Sequence, residues 1–134
     1  MDPNAFAALI ESTSRVRAAA WSVWGELDRE LLTHRSVPVF EGGPRWPARR
    51  EAFRVARRGG ETLVATDGLA DPFLEGDGPD EINGLGLELF AVTDEPLAPV
   101  AGSWLWDLVW QAGQLAAAHG GLAELIDEQV LLSA

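Results

Sequence analysis

The chain has 134 residues, 47% hydrophobic and 23% charged, with a formal net charge of −11. That length and composition fit one domain over residues 1–134 with its own core, and exclude a disordered chain. The absence of cysteine excludes disulfides, thiolate nucleophiles and cysteine-ligated metal centres. With no long apolar run and no basic-then-apolar start, a cytoplasmic protein without membrane contact is expected.

Charge is unevenly placed. All ten basic residues are arginines, and the last is Arg58. Residues 1–58 hold ten arginines and seven acids, a net of +3; residues 59–134 hold fourteen acids and no Lys or Arg, a net of −14. Such an acidic stretch repels nucleic-acid phosphates, so no nucleic-acid partner is expected. It serves either solubility or encounter with a basic protein partner.

The opening segment reads as a helix, with Asp2 as cap and Pro3 in the first turn. Phe6, Leu9, Ile10, Thr13, Val16, Ala20, Val23 and Trp24 recur at helical spacing. Gly25 weakens the pattern, but Leu27, Leu31 and Leu32 extend or restart it until Val37-Pro38. Residues 38–50 hold three prolines and a Gly-Gly pair and read as a loop containing Trp46. Two strands follow, Ala52–Ala56 and Thr62–Thr66, joined by the hairpin signal Arg57-Arg58-Gly59-Gly60. Asp67–Gly84 is a long turn-rich loop. Leu85–Val92 alternates, with Leu85, Leu87, Leu89 and Ala91 on one face and Gly86, Glu88, Phe90 and Val92 on the other. A last helix runs from a Ser103 cap to about His119, ended by Gly120-Gly121. Its polar positions Asp107, Gln111 and Gln114 share one stripe, so cover on more than one side, or a subunit interface, is expected. Leu122–Leu132 fits a helical turn or a terminal strand.

Together these elements give an α+β fold, a mainly antiparallel sheet covered by an N-terminal helix and a Trp-rich C-terminal helix. The wide apolar surface of the last helix points to a homodimer or other self-association through a helix or a strand edge.

His34 and His119 lack metal-ligand spacing and suit helix ends, and no acyl- or phosphoryl-transfer motif is present; no metal and no cofactor are expected. The acids Asp67, Asp71, Glu75, Asp77, Asp80 and Glu81 are oxygen donors of the calcium-binding type without EF-hand spacing, so solvated turn acids are the preferred reading. Arg49, Arg50, Arg54, Arg57 and Arg58 form the basic cluster, which either binds an anion or partner or pairs with neighbouring acids. Trp104, Trp106 and Trp110 read as core, whereas Trp46 reads as an exposed anchor or a plug inserted from its loop.

Two motifs carry a resemblance: Gly68-Leu69-Ala70-Asp71-Pro72-Phe73 after a strand, and Gly84-Leu85-Gly86-Leu87-Glu88-Leu89, joined by an acidic loop and followed by an apolar helix. In this order, over residues 62–119, the chain resembles the suppressor-of-fused (SUFU-like) domain family, as a bacterial single-domain member. The resemblance implies a non-catalytic protein-binding module, an immunity or regulatory protein that sequesters a partner such as a basic toxin or regulator. Against the family pattern, the further strands that longer members add after the helix and the second domain of the animal members are not expected here. Asp71 before Pro72 suits a turn whose carboxylate takes local N–H groups, and Glu88 is placed to bind that turn or face a groove. The pair is thus structural or ligand-binding. Candidate binding residues are Asp67, Gly68, Asp71, Pro72, Glu88, Trp46, Arg54, Arg57 and Arg58. The alternative function is a small-ligand-binding or hydrolytic domain using the acidic loop 67–81.

Overall fold

The computed structural model describes residues 2–33, 46–73 and 84–118. His34, His119, the acids between 75 and 81, and the segment 122–132 lie outside the described residues.

Helix α1 spans Pro3–Trp24, with Pro3 in its first turn as expected. Asp2 caps it through its carbonyl, which accepts the Phe6 N–H at 2.9 Å, and not through its side chain. Gly25 takes extended backbone and ends the helix, and the expected continuation or restart through Leu27, Leu31 and Leu32 does not form. Instead Glu26–Leu27 (β1) and Leu32–Thr33 (β2) are short strands, both paired with the same neighbour, Ala52–Arg58 (β3). Pairing satisfies their backbone groups where the helical ladder has stopped.

β3 turns through Gly59-Gly60 into Glu61–Thr66 (β4), with Val55 opposite Val64 and Arg57 opposite Thr62. The hairpin matches its sequence signal. β4 pairs in turn with Phe90–Thr93 (β5), giving an antiparallel five-stranded sheet in which β5 ends the row. The hydrogen-bonded strand is shorter than the expected 85–92, yet the alternation is right. Leu85, Leu87, Leu89 and Ala91 pack against the core, while Gly86, Phe90 and Val92 are exposed.

Helix α2, Trp104–Ala118, begins where Ser103 Oγ accepts the Trp106 N–H, the expected cap. Leu105 and Val109 pack with Phe53, Val55 and Val64 on one sheet face. Trp21, Trp24 and Leu27 cover Ala56, Leu63 and Ala65 on the other. The architecture is therefore α+β in three layers, α1, sheet, α2.

Two expected faces are rotated. On α1, Val16 and Val23 are 68% and 88% exposed, and the stripe against the sheet is Ile10, Ser14, Arg17, Trp21 and Trp24. Its middle is polar because buried acids wait opposite it. On α2, Trp104, Leu108 and Leu115 are exposed, and Trp106 and Trp110 are half-buried at the core margin. The described residues therefore cover α2 on one side, not on several. No helix among the described residues is long and apolar enough to cross a membrane.

Trp46, expected as an exposed anchor or a plug, is the plug, at 2% exposure. Its indole N–H donates to Gln114 at 2.6 Å, and its ring lies over Gly113, where a Cβ would overlap it. A glycine in an apolar helix thus makes room for a tryptophan from the segment before β3.

Candidate functional site

At the end of β4 the chain turns through Asp67–Asp71, closed by the Asp71 N–H on the Gly68 carbonyl at 3.1 Å. The turn exposes three consecutive N–H groups. Glu88 accepts all three, from Gly68 at 3.1 Å, Leu69 at 3.0 Å and Ala70 at 3.0 Å. The Thr66 hydroxyl donates to the same carboxylate at 2.8 Å. The two sequence motifs are thereby one unit in space. Gly84, at φ +50°, brings the second motif in, and a Cβ there would overlap the Asp71 and Leu69 carbonyls.

Asp71 does something other than expected. Its carboxylate does not take the turn's N–H groups, because Glu88 already holds them. It points to α1, where Arg17 donates to both its oxygens, at 2.8 and 3.1 Å, and the Thr13 hydroxyl donates at 2.7 Å. Asp67 lies beside it and accepts from Arg17 Nε at 2.9 Å and from Ser14 at 2.6 Å. Arg50 adds a bond to the Asp67 carbonyl at 2.7 Å and to its carboxylate at 3.2 Å. Both aspartates are fully buried.

Burial by itself would raise the Asp67 pKa; the Arg17 and Ser14 bonds and the charges of Arg17 and Arg50 outweigh it and hold the group below its ordinary value. Burial would likewise weaken the Arg17 cation, but its bonds to Asp71 and Asp67 keep it charged well above the ordinary arginine range. Burial pushes Glu88 up, with the backbone donors, Arg17 and Thr66 pulling it back only in part. The network fastens α1 to the sheet with every carboxylate oxygen engaged by strong donors. Asp67 and Asp71, expected as solvated turn acids in preference to calcium ligands, are instead fully buried and committed to guanidinium groups, because Arg17 and Arg50 reach them from α1 and from the segment before β3. No cluster of metal-ligating side chains occurs among the described residues.

The remaining candidates are dispersed. Arg57 forms a two-pronged pair with Asp28 at 2.9 and 3.1 Å and donates to the Leu97 carbonyl. Arg58 pairs with Glu61 and stacks over the Trp24 ring at 4.5 Å. Both use intramolecular partners. Arg54 differs: its guanidinium has one acceptor among the described residues, Ser14 Oγ at 3.1 Å, and its Nε is buried without one. Gly68 belongs to the turn and Pro72 follows it directly, while Trp46 is core. Sequence reasoning missed Arg17 and Ser14. The available signal was a lone arginine in register with Ile10, Trp21 and Trp24 on one helical stripe.

A second surface stands out at the sheet edge. Among the described residues no strand pairs with the outer side of β5. Phe90 is 58% and Val92 39% exposed there, and the Trp21 ring lies 5.2 Å from that of Phe90. Asp94 and Glu95, both exposed, follow directly. Compared with family models, curated proteins and solved structures, the chain matches none.

Proposed function

We propose that the chain is a non-catalytic protein-binding module of the SUFU-like kind, which takes an extended basic segment of a partner protein along the outer edge of β5. The carrying observation is that edge itself. A strand edge left unpaired among the described residues offers a row of N–H and C=O groups, and Phe90, Val92 and Trp21 supply apolar contacts beside it. Asp94 and Glu95 add negative charge at its end, which favours arginine or lysine in the incoming strand. The immunity or regulatory role implied by the family resemblance belongs to the same proposal, since sequestering a basic toxin or regulator needs such an edge and no chemistry. The convergence of the Gly68–Pro72 turn and Glu88 into one unit supports the resemblance. The burial and pairing of Asp67 and Asp71 count against the alternative of an acid-loop hydrolase.

Titration with a short capped peptide alternating valine and arginine tests this, beside its valine–glutamate counterpart. The basic peptide is expected to bind at least about tenfold more tightly, and Phe90→Ser to lose that binding while remaining cooperatively folded, its melting temperature lowered only by the lost Trp21–Phe90 ring contact. Equal binding of both peptides, or unchanged binding by Phe90→Ser, would overturn the proposal.

A further inference from the structure

Between α1 and the sheet lies a groove of about 510 Å³, walled by Phe6, Ala7, Ile10 and Leu31, with Arg50 and Arg54 at its polar side. Its charge is unusually arranged. Arg50 is taken up by Asp67, whereas no carboxylate among the described residues lies within ion-pair distance of Arg54. This occurs in a chain with twice as many acids as bases. The two guanidiniums converge on one neutral atom, Ser14 Oγ, at 3.1 Å from Arg54 and 3.5 Å from Arg50. Ser14 Oγ spends its own proton on Asp67, so it offers the two cations only lone pairs. Two like charges that close in a partly buried place repel, and an under-satisfied guanidinium there is costly. A bound anion relieves both conditions.

We infer that this groove binds a small organic carboxylate with an apolar chain, its carboxylate bridging Arg54 and Arg50 and its chain lying against Phe6, Ala7, Ile10 and Leu31. Three features point to this class. A carboxylate fits the guanidinium fork with paired hydrogen bonds. The wall beyond the arginines is apolar, which disfavours a hydrophilic ion such as phosphate. The volume lies within the range of small-molecule sites, roughly 300–1,000 Å³. Glu11 and Arg15, also at the groove, pair with each other at 3.1 Å, so Glu11 does not neutralise Arg54. The site shares no residue with the β5 edge, so it stands or falls independently of the protein-binding proposal.

Calorimetric titration with octanoate, octan-1-ol and acetate tests the inference on the full chain. Octanoate is expected to bind at least about tenfold more tightly than either control, since only it has both head and chain. Arg54→Gln, which keeps a donor for Ser14, is expected to lose about tenfold for octanoate and to bind octanol as wild type does. Ala7→Trp fills the groove away from the ion network and is expected to abolish octanoate binding, which keeps the test decisive should Arg54→Gln fail to fold. Octanol binding as well as octanoate, acetate binding equally well, or both variants binding octanoate like wild type would overturn the inference. A leucine-terminated peptide that binds this groove more tightly than octanoate would overturn the small-molecule assignment and make the site a chain-terminus receptor.

Discussion

Replacing Arg17 with methionine keeps the aliphatic stem and removes the cation that holds α1 to the turn. In the native chain this one guanidinium donates three bonds of 2.8–3.1 Å to Asp67 and Asp71. Both aspartates are fully buried, so water cannot replace what is lost without a rearrangement of α1. Breaking a buried ion pair from one side costs about 3–5 kcal/mol, because the other charge stays behind unpaired. Arg50 still reaches Asp67 at 3.2 Å, and Thr13 and Ser14 still donate, which puts the expected loss near the lower end, about 3 kcal/mol. Set against a typical domain stability of about 5–15 kcal/mol, that is a large fraction. Urea unfolding followed by tryptophan fluorescence reads it directly. The pH dependence gives a second check. Asp67, with its folded pKa below the unfolded one, contributes stability at neutral pH that wild type loses as pH falls below the ordinary aspartate range. Glu88, shifted up, works in the opposite sense: its contribution is full below the ordinary glutamate value and lost as pH rises through the folded one. In Arg17→Met the freed Asp67 carboxylate binds a proton more readily, so the gap to wild type should narrow from pH 7 to pH 4. A loss under about 1 kcal/mol at pH 7, or a gap that widens on acidification, would refute this role for Arg17.

Trp46→Ala should destabilise by about 3–5 kcal/mol, whereas Trp104→Ala, at a half-exposed position, should stay within roughly 1 kcal/mol of wild type; equal urea midpoints would contradict the burial of Trp46. Gly113→Ala should destabilise although alanine is the better helix former by about 1 kcal/mol, because overpacking against the Trp46 ring costs about 1–3 kcal/mol. A higher melting temperature for that variant would show that the ring has room. Asp71→Ala should cost about 1–3 kcal/mol by leaving two of the Arg17 donor nitrogens without the carboxylate they share; wild-type stability with lost peptide binding would instead make Asp71 a ligand group. The proposed homodimer would bury the stripe of Trp104, Leu108 and Leu115, so sedimentation equilibrium should give twice the chain mass for wild type and the chain mass for Leu108→Arg. A wild-type monomer at micromolar concentration removes the dimer.

Local patterns read correctly from the sequence are those with a short-range physical cause. Gly59-Gly60 between two β-type runs forms the hairpin, and Ser103 starts α2. The alternation of Leu85, Leu87, Leu89 and Ala91 chooses the core face even where the ladder hydrogen bonds stop. What sequence reasoning missed is set by long-range partners. An apolar-count reading of α1 selects Val16 and Val23, but Asp67 and Asp71, fifty and more residues away, turn the Ser14 and Arg17 face inward. Likewise, a proline-rich context suggests that Trp46 is exposed, whereas its burial depends on the missing side chain of Gly113. At the candidate site, the strand alternation puts Glu88 either on the turn or at a groove, and it binds the turn. That Asp71 would pair with a helix rather than with its own turn was not readable, because one carboxylate displaced another from the same N–H groups.

The proposed binding mode makes one backbone-level demand. If a partner segment adds a strand to β5, the outward amides of Phe90–Thr93 must become hydrogen-bonded on binding. Amide hydrogen exchange with and without the valine–arginine peptide measures this residue by residue. Protection confined to alternate amides of Phe90–Thr93, with the Asp67–Ala70 turn unchanged, is the expected result. Unchanged exchange along β5, or protection confined to the Asp67–Ala70 turn, would contradict edge binding and return the partner site to the acidic turn.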